Sequence, residues 1–147
     1  MPVQTLPTIT KVEYIRNEDF ELYPRRFLKP GDPTSVIGSF QKLNMPEPAQ
    51  CEITSEQTPN GLTYTTRVTG TIFDEHNTEL RNKLQVMPYS YMISDIYRNK
   101  YLIGTKDKPF PEILFNPVNP SSPTARRVIN YEIIWISTLP AIKIVDL

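Results

Sequence analysis

The residue types that most often carry catalysis or bind metals are scarce in this sequence, which has one histidine, His76, and one cysteine, Cys51. His76 follows Asp74 and Glu75 at the predicted start of a helix, where consecutive side chains point in different directions and rarely share a metal ion. Acidic residues at that place are typical of a helix N-terminus, whose dipole they stabilise. Cys51 alternates with Ile53 in a strand-like pattern, which favours a buried apolar role over a nucleophilic one.

No sequence motif for nucleotide binding, zinc binding or hydrolysis is present. The chain lacks a Gly-x-Ser-x-Gly elbow, a phosphate-binding loop, paired CxxC cysteines and an HExxH helix. Gly104-Thr105-Lys106 has part of the composition of a phosphate loop, but it lacks the loop and the following helix and is more typical of a strand end. A Ser-His-Asp triad would have to use His76 as its base. We therefore expect no catalytic residue, no cofactor and no metal.

Carboxylates are the one catalytic residue type that the sequence supplies in number, and they are scattered over predicted strands and turns. Glu132 is the most notable, because it lies between Tyr131 and Ile133 in an apolar strand. It is either a buried acid with a raised pKa or, as we favour, a residue on the solvent or subunit face of an edge strand. An enzyme acting on glycans would need two acids that face each other across a cleft.

Charge and composition exclude several classes of partner. Lys plus Arg and Asp plus Glu are both 16, so the formal net charge is zero. The doublets Arg25-Arg26 and Arg126-Arg127 are too short to form the basic patch of a nucleic-acid-binding protein. No segment approaches the roughly 20 apolar residues of a membrane span, and the first residues predict no signal peptide. The expected environment is a cytoplasm, with neither a specific nucleic acid nor a membrane as partner.

The clearest local signal is a β-hairpin in the middle of the chain. Residues 51–57 alternate between apolar and polar, Asn60-Gly61 supplies the positive φ angles of a tight turn, and residues 62–73 alternate again. Their even positions are mainly apolar and their odd positions are mainly threonine, which predicts a strand with one buried and one solvent-facing side.

The remaining elements are shorter. A helix is predicted between Asp74 and Met87, with Leu80 and Leu84 on one face and Pro88 as its stop. Strands are predicted at 10–16, 89–97, 101–105, 128–137 and 141–147, together with a short strand or turn near 35–43. Sequential hairpins imply antiparallel pairing. The expected fold is therefore mainly β, an antiparallel sandwich or small barrel with one short helix.

Proline predicts three extended segments. The chain has 15 prolines and 5 glycines, and proline favours extended backbone while it blocks helix. Residues 1–9 are interpreted as an N-terminal arm, and 24–50 and 106–126 as long loops within a single β-rich domain of residues 10–147. Structureless loops of that length are typically functional or disordered. The arm residues expected to make assembly contacts are Pro24, Arg25, Arg26, Pro30, Pro33, Pro109, Phe110, Pro111, Phe115, Pro117, Pro120 and Pro123.

Four segments between residues 63 and 135 form a further pattern: Thr69-Gly70-Thr71 at the end of a strand, Leu80-x-x-x-Leu84 on a short helix, Tyr101-Leu-Ile-Gly-Thr-Lys-Asp-Lys-Pro-Phe after a turn, and Tyr131-Glu-Ile-Ile-Trp in a late strand. Through these segments the chain resembles small structural proteins of the neck or tail of tailed phages and prophages of Bacteroidota. The resemblance covers about half the chain, and its motifs are structural and not catalytic.

This resemblance implies a non-enzymatic virion subunit: a neck or tail connector, terminator or tube component, assembled in the host cytoplasm. Its partners would be further copies of itself, in a ring or tube, and other virion structural proteins. Free sheet edges and extended arms suit such assembly, because proline lowers the entropy that an arm loses when it docks. The alternative function is a monomeric β-barrel or sandwich that binds a small ligand or a peptide.

Overall fold

The computed structural model describes residues 3–20, 30, 33–73, 78–86, 88–106, 108–118 and 128–145. Over these ranges the chain forms two antiparallel sheets packed as a sandwich, which confirms the predicted fold class, and the sheets do not close into a barrel. The strands are β1 (Val3–Thr5), β2 (Ile9–Arg16), β3 (Gln41–Lys42), β4 (Gln50–Thr58), β5 (Gly61–Phe73), β6 (Tyr89–Asp95), β7 (Lys100–Ile103), β8 (Glu112–Val118), β9 (Val128–Ser137) and β10 (Ile142–Ile144). A 3-10 turn (Asn17–Asp19) follows β2, and the helix α1 (Thr78–Val86) lies between β5 and β6.

Sheet A has the strand order β1-β4-β5-β9-β8. The predicted hairpin is its centre: Thr58 pairs with Gly61, whose φ is +115°, and the Thr58 hydroxyl donates a hydrogen bond to the Gly61 carbonyl at 2.7 Å. The predicted alternation is confirmed in β5, where Val68 and Ile72 are buried and Arg67 is exposed. In β9 the predicted apolar face is confirmed as well, because every odd position from 129 to 137 is buried.

Sheet B has the order β10-β7-β6-β2-β3, with β6 at its centre. All seven residues of β6 are buried, because this strand lies at the centre of its sheet and is covered on both faces. The predicted last strand is the edge strand β10, which pairs with β7. The core between the sheets holds the largest side chains, among them Trp135, whose indole Nε1 donates to the Pro109 carbonyl at 2.9 Å.

The outer face of sheet B is covered by the segment 33–42. The backbone of Thr34 exchanges hydrogen bonds with Lys143 and Val145 beside β10, both at 2.9 Å, and Gln41 pairs with β2 at the opposite edge. Between these ends Gly38 lies against Ile15. By register Ile15 shares its face with Met92 and Leu102, which are buried too.

The helix α1 packs near the edge strand β8. Leu84 is buried and Leu80 packs against the core, which confirms the predicted shared face. Asp74 and Met87, the predicted limits of this helix, lie outside the described residues.

The predicted arms need three corrections. Within the N-terminal arm 1–9, Val3–Thr5 pair with β4 and Ile9 begins β2, so these residues belong to the sheets. The loop 24–50 does contain the expected short strand, β3, but Leu43 and Ala49 are core residues. The loop 106–126 contains the seven-residue strand β8, and Pro117 is tolerated there because an edge strand can lack one N–H donor.

Candidate functional site

Nucleophilic and metal chemistry find no support in the described residues. The Cys51 thiol is fully buried, and burial, with a smaller contribution from Glu52, raises its pKa to about 12, so the reactive thiolate does not form near neutrality. This confirms the predicted apolar role. Within the same ranges no cluster of three or more His, Cys, Asp or Glu residues could hold a metal ion. His76 lies outside them.

Glu132 is on the outer face of sheet A, as favoured from the sequence. Its carboxylate forms an ion pair with Arg67 across β5 and β9, with an Nε–Oε1 distance of 2.8 Å. The interpretation of its strand as an edge was wrong, because β9 lies between β5 and β8 and the edge strand on this side is β8. Glu132 therefore projects from the middle of an open sheet face.

A groove of about 570 Å³ crosses the outer face of sheet A around Glu132. Its floor consists of outward-facing residues that are paired by register: Thr69 opposite Glu132, and Thr71 opposite Asn130. One wall is formed by Glu47, Pro48 and Gln50, and the other by Leu114, Phe115 and Asn116.

Hydrogen bonds connect the floor of the groove to its first wall. The Thr71 hydroxyl lies 3.0 Å from the Asn130 Oδ1 and 3.3 Å from a Glu47 carboxylate oxygen. Two carboxylates, three amides and two hydroxyls thus line one groove whose borders are partly apolar; its described lining residues include no Lys or Arg, and Arg67 lies beside it, paired with Glu132. Such a lining can accept hydrogen bonds and can neutralise a cation.

Gly70 shapes the sheet beneath the groove. A Cβ atom at this position would lie 2.6 Å from the Tyr131 hydroxyl oxygen and 3.0 Å from the Ala49 Cβ. The missing side chain therefore lets the Tyr131 ring lie across β5 on the core side, and its hydroxyl lies 3.0 Å from the Met45 sulfur. Burial raises the pKa of Tyr131 above its usual value, so this phenol is a packing group.

The outer face of sheet A also carries exposed apolar side chains, and we call this surface the bare face. Val3, Thr54, Thr65 and Ile136 form one row across four strands. Val3 is 59% exposed and Ile136 55% exposed, and Leu114 on the groove wall is 53% exposed. Beside them β8 ends the sheet, and it pairs only with β9 among the described strands.

A second exposed feature is the turn between β6 and β7, residues 96–99, which we call the tip. Ile96 and Tyr97 are exposed there, and Arg98 adopts a left-handed φ of +68°. The Asp95 carboxylate beneath them accepts hydrogen bonds from the backbone N–H groups of Tyr97 and Asn99, both at 2.9 Å.

The predicted assembly residues are not brought together at one place. Pro30 and Pro33 are exposed, and Phe115 lies in β8 beside the groove with its side chain packed against the core. Pro111 is buried against Gly104 and therefore serves packing, whereas Pro109 is exposed and its carbonyl accepts a hydrogen bond from the Trp135 indole. Phe110 is partly buried and Pro117 lies in β8. Pro24, Arg25, Arg26, Pro120 and Pro123 lie outside the described residues.

Sequence reasoning missed both the groove and the tip. The polar odd positions of β5 did indicate the outer face, but only register brings residues 47–50, 69–71, 114–116 and 130–132 together. The tip had a local signal, since Asp95 precedes the predicted turn and is followed by Asn99, two residue types that favour turns.

In comparisons with known proteins, no protein-family model, no curated protein and no solved structure matched this chain. None of the helices among the described residues is long and apolar enough to cross a membrane.

Proposed function

We propose that this protein is a non-enzymatic structural subunit that assembles with copies of itself through the bare face and the free edge of sheet A. The observation that carries the proposal is the difference between the two sheets. The central strand β6 of sheet B is buried on both faces, whereas sheet A leaves large apolar side chains exposed on its outer face. Exposed apolar patches of this kind typically mark interaction surfaces.

The bare face offers a hydrophobic contribution to association. Burial of an exposed aliphatic side chain contributes roughly 25 cal/mol per Å² of apolar area removed from water. Val3 and Ile136 lie at the two ends of a row whose middle positions are threonines, and threonine methyl groups pack well against a facing surface. Charged residues at interface centres are generally depleted, and this row has none.

The free edge offers a directional contribution. Among the described strands β8 pairs only with β9, and α1 packs beside it; the backbone groups of β8 that point away from β9 and that α1 leaves uncovered can pair with a strand of a neighbouring copy, as edge strands do unless they are protected. Pro117 lacks an N–H group, which limits such pairing near the C-terminal end of the strand. Contacts of this kind would then involve the first half of β8, next to Leu114.

The virion assignment follows from the resemblance to phage neck and tail proteins and is part of the same proposal. Such a subunit would form a ring or tube with further copies, contact other virion structural proteins and assemble in the host cytoplasm. The zero net charge is compatible with close packing of many copies, because it limits mutual repulsion.

The test is the native mass, measured by size-exclusion chromatography with light scattering over a range of protein concentrations. We expect a defined oligomer or a polymer, and we expect Ile136→Glu to shift it toward monomer. The matched control is Val86→Glu, which places the same charge on an exposed aliphatic position of α1 and should leave the mass unchanged. A strict monomer at every concentration would contradict the proposal.

The groove favours a second candidate function, a binding module for a small ligand or a peptide. Its volume falls in the range typical of ligand sites, and the adjacent β8 edge could add an extended peptide strand. This function predicts a monomer whose melting temperature rises with a bound ligand. A thermal-shift screen with neutral saccharides and short peptides would separate the two functions, and Thr69→Trp, which fills the groove, should abolish any shift.

A further inference from the structure

We propose that the tip of one copy docks into the groove of a second copy. This inference deepens the proposed assembly function and rests on it, because it names the two surfaces that meet. Neither surface has an assigned role within the fold, and both are built from described residues. Three observations support it: the tip is rigid, it presents anchor side chains, and the groove complements them in charge.

The rigidity of the tip comes from a buried carboxylate. Asp95 is only 1% exposed, and a buried charge is costly unless hydrogen bonds compensate it. Its oxygens accept from the Tyr97 and Asn99 backbone N–H groups at 2.9 Å and lie 3.4 Å from the Asn99 side-chain amide. The backbone adds a bond from the Arg98 N–H to the Asp95 carbonyl at 3.0 Å.

A left-handed backbone at a residue other than glycine is held only where the surrounding contacts determine it, and such positions cluster at functional sites. Arg98 has this conformation, with φ at +68°. The Ile96 N–H also donates to the Thr8 carbonyl at 2.9 Å, which ties the tip to the chain entering β2. The fold thus fixes a turn whose exposed side chains contribute nothing to the core.

The side chains presented by the tip are those that dominate protein interfaces. Tyr97 is 73% exposed and Ile96 59% exposed, and Arg98 and Lys100 are exposed beside them. Tyrosine and arginine are enriched among residues that carry most of the binding energy. A rigid turn loses little conformational entropy when it docks.

The groove is complementary to this tip. Its described lining includes the carboxylates of Glu47 and Glu132; Glu132 is already paired with Arg67, so Glu47 is the carboxylate that can meet the exposed cations of the tip, Arg98 and Lys100. Pro48 and the 53% exposed Leu114 supply apolar surface for the Tyr97 ring. Its volume of about 570 Å³ is within the range of sites that enclose small ligands, which suits a few protruding side chains.

The contact can form only between copies. The groove opens on the outer face of sheet A, and sheet B packs on the opposite face, so a rigid four-residue turn of sheet B cannot reach the groove of its own chain. Contact between two different surfaces is heterologous, and it generates a closed ring or an open filament. Stable interfaces bury about 800 Å² per partner, more than a tip alone provides, so the bare face around Leu114 must contribute.

The experiment uses sedimentation velocity on the full chain and on two variants, Tyr97→Ala at the tip and Thr69→Trp in the groove. We expect each variant alone to associate at least tenfold more weakly than the wild type. In an equimolar mixture, the intact tip of Thr69→Trp can dock into the intact groove of Tyr97→Ala. The remaining tip and groove of this pair are both altered, so the mixture should form a heterodimer and nothing larger. Leu62→Ala, at the exposed turn of the other hairpin, is the control and should assemble like the wild type.

The outcomes distinguish the docking contact from assembly in general. Circular dichroism and the melting temperature establish that each variant folds. Loss of association in both single variants with recovery in the mixture supports the docking contact. A wild-type oligomer that neither variant weakens overturns the docking contact and leaves assembly standing. A wild-type monomer overturns both. Co-sedimentation of the wild type, but not of Tyr97→Ala, with vesicles of phosphatidylcholine and phosphatidylserine would assign the tip to a membrane and overturn the inference.

Discussion

Sheet A and sheet B have the same number of strands and the same antiparallel pairing, but they differ in what covers them. The central strand β6 of sheet B is buried on both faces, and segment 33–42 crosses the outer side of this sheet, where Phe40 packs against Phe20 with ring centroids 5.9 Å apart. Sheet A is buried on one face only, and its outer face carries the groove, an ion pair and exposed aliphatic side chains. Among the described residues, sheet A is therefore the sheet with the less covered outer face.

The difference is encoded in the strands themselves. The central strand of sheet B reads Tyr-Ser-Tyr-Met-Ile-Ser-Asp and has no charged residue before its end, as expected of a strand with two buried faces. The central strand of sheet A alternates apolar residues with threonines and Arg67, as expected of a strand with one buried and one solvent-facing side. The predictions below test this contrast, beginning with the largest effect.

Adjacent residues on opposite faces of β4 should differ at least a thousandfold in chemical reactivity. Cys51 is buried, with a pKa of about 12, so it should react with iodoacetamide mainly through unfolding, which is roughly 10³-fold or more unfavourable in small domains. A cysteine placed at the exposed Glu52 in a Cys51→Ala background should react rapidly. The rates are measured by mass spectrometry, and in denaturing urea the two thiols should react alike.

The same burial gives a sign for the dependence of stability on pH. The unfolded thiol titrates near its ordinary value of 9.0 while the buried Cys51 does so at about 12. The stabilisation from this shift is therefore complete below about pH 9 and is lost as the pH rises toward 12. Urea denaturation should show that the free energy of unfolding falls more steeply between pH 9 and pH 12 for the wild type than for Cys51→Ala. Equal pH dependence in the two proteins would contradict the assignment of this titration to Cys51.

Two leucines give a matched test of the covered and uncovered faces. Leu102 on the outer face of sheet B is 0% exposed, whereas Leu114 on the outer face of sheet A is 53% exposed. Leu102→Ala should lower the free energy of unfolding by about 2–5 kcal/mol, and Leu114→Ala by no more than about 0.5 kcal/mol in the monomer. Chemical denaturation measures both. Similar losses at the two sites would show that the bare face is covered in solution.

The strands that repeat one pattern without interruption were predictable from the sequence. Asn60-Gly61 between two alternating runs determines a hairpin locally, and the odd positions of β9 mark its buried face. The helix was predictable from the spacing of Leu80 and Leu84. These signals depend on residues that are close in the chain, so no knowledge of the partner strand is needed.

The elements that depend on distant partners could not be predicted. Residues 112–118 read as a proline-rich loop because Asn116 and Pro117 interrupt the pattern, and only pairing with β9 makes them a strand. The groove has the same origin, since its residues are up to 85 positions apart and strand register alone unites them. The sequence of segment 33–42 has no hydrophobic periodicity, because the chain crosses the strands of sheet B there and does not run along them.

Two glycines test how tightly each sheet is packed. Gly70→Ala would place a Cβ 2.8 Å from the Tyr131 Cζ, part of a rigid buried ring, so we expect a loss of about 1–3 kcal/mol in unfolding free energy. Gly38→Ala meets the terminal methyl of Ile15, which can rotate away, so the loss should be smaller. Thermal and urea denaturation provide the comparison. A larger loss at Gly38 would mean that the cover over sheet B is packed more rigidly than the core of sheet A.

The smallest predicted effect is the coupling between Arg67 and Glu132 on the bare face. Their Nε–Oε1 distance is 2.8 Å, with side chains 51% and 35% exposed, and pairs accessible to water typically contribute about 0.2–1 kcal/mol. A double-mutant cycle with Arg67→Met and Glu132→Gln, measured by urea denaturation at low protein concentration, should give a coupling in that range that decreases in high salt. A coupling well above 1 kcal/mol that is insensitive to salt would contradict an open face. In the assembled state the same cycle should give a larger, less screened value if the bare face is the contact surface, because a neighbouring copy would exclude water from the pair.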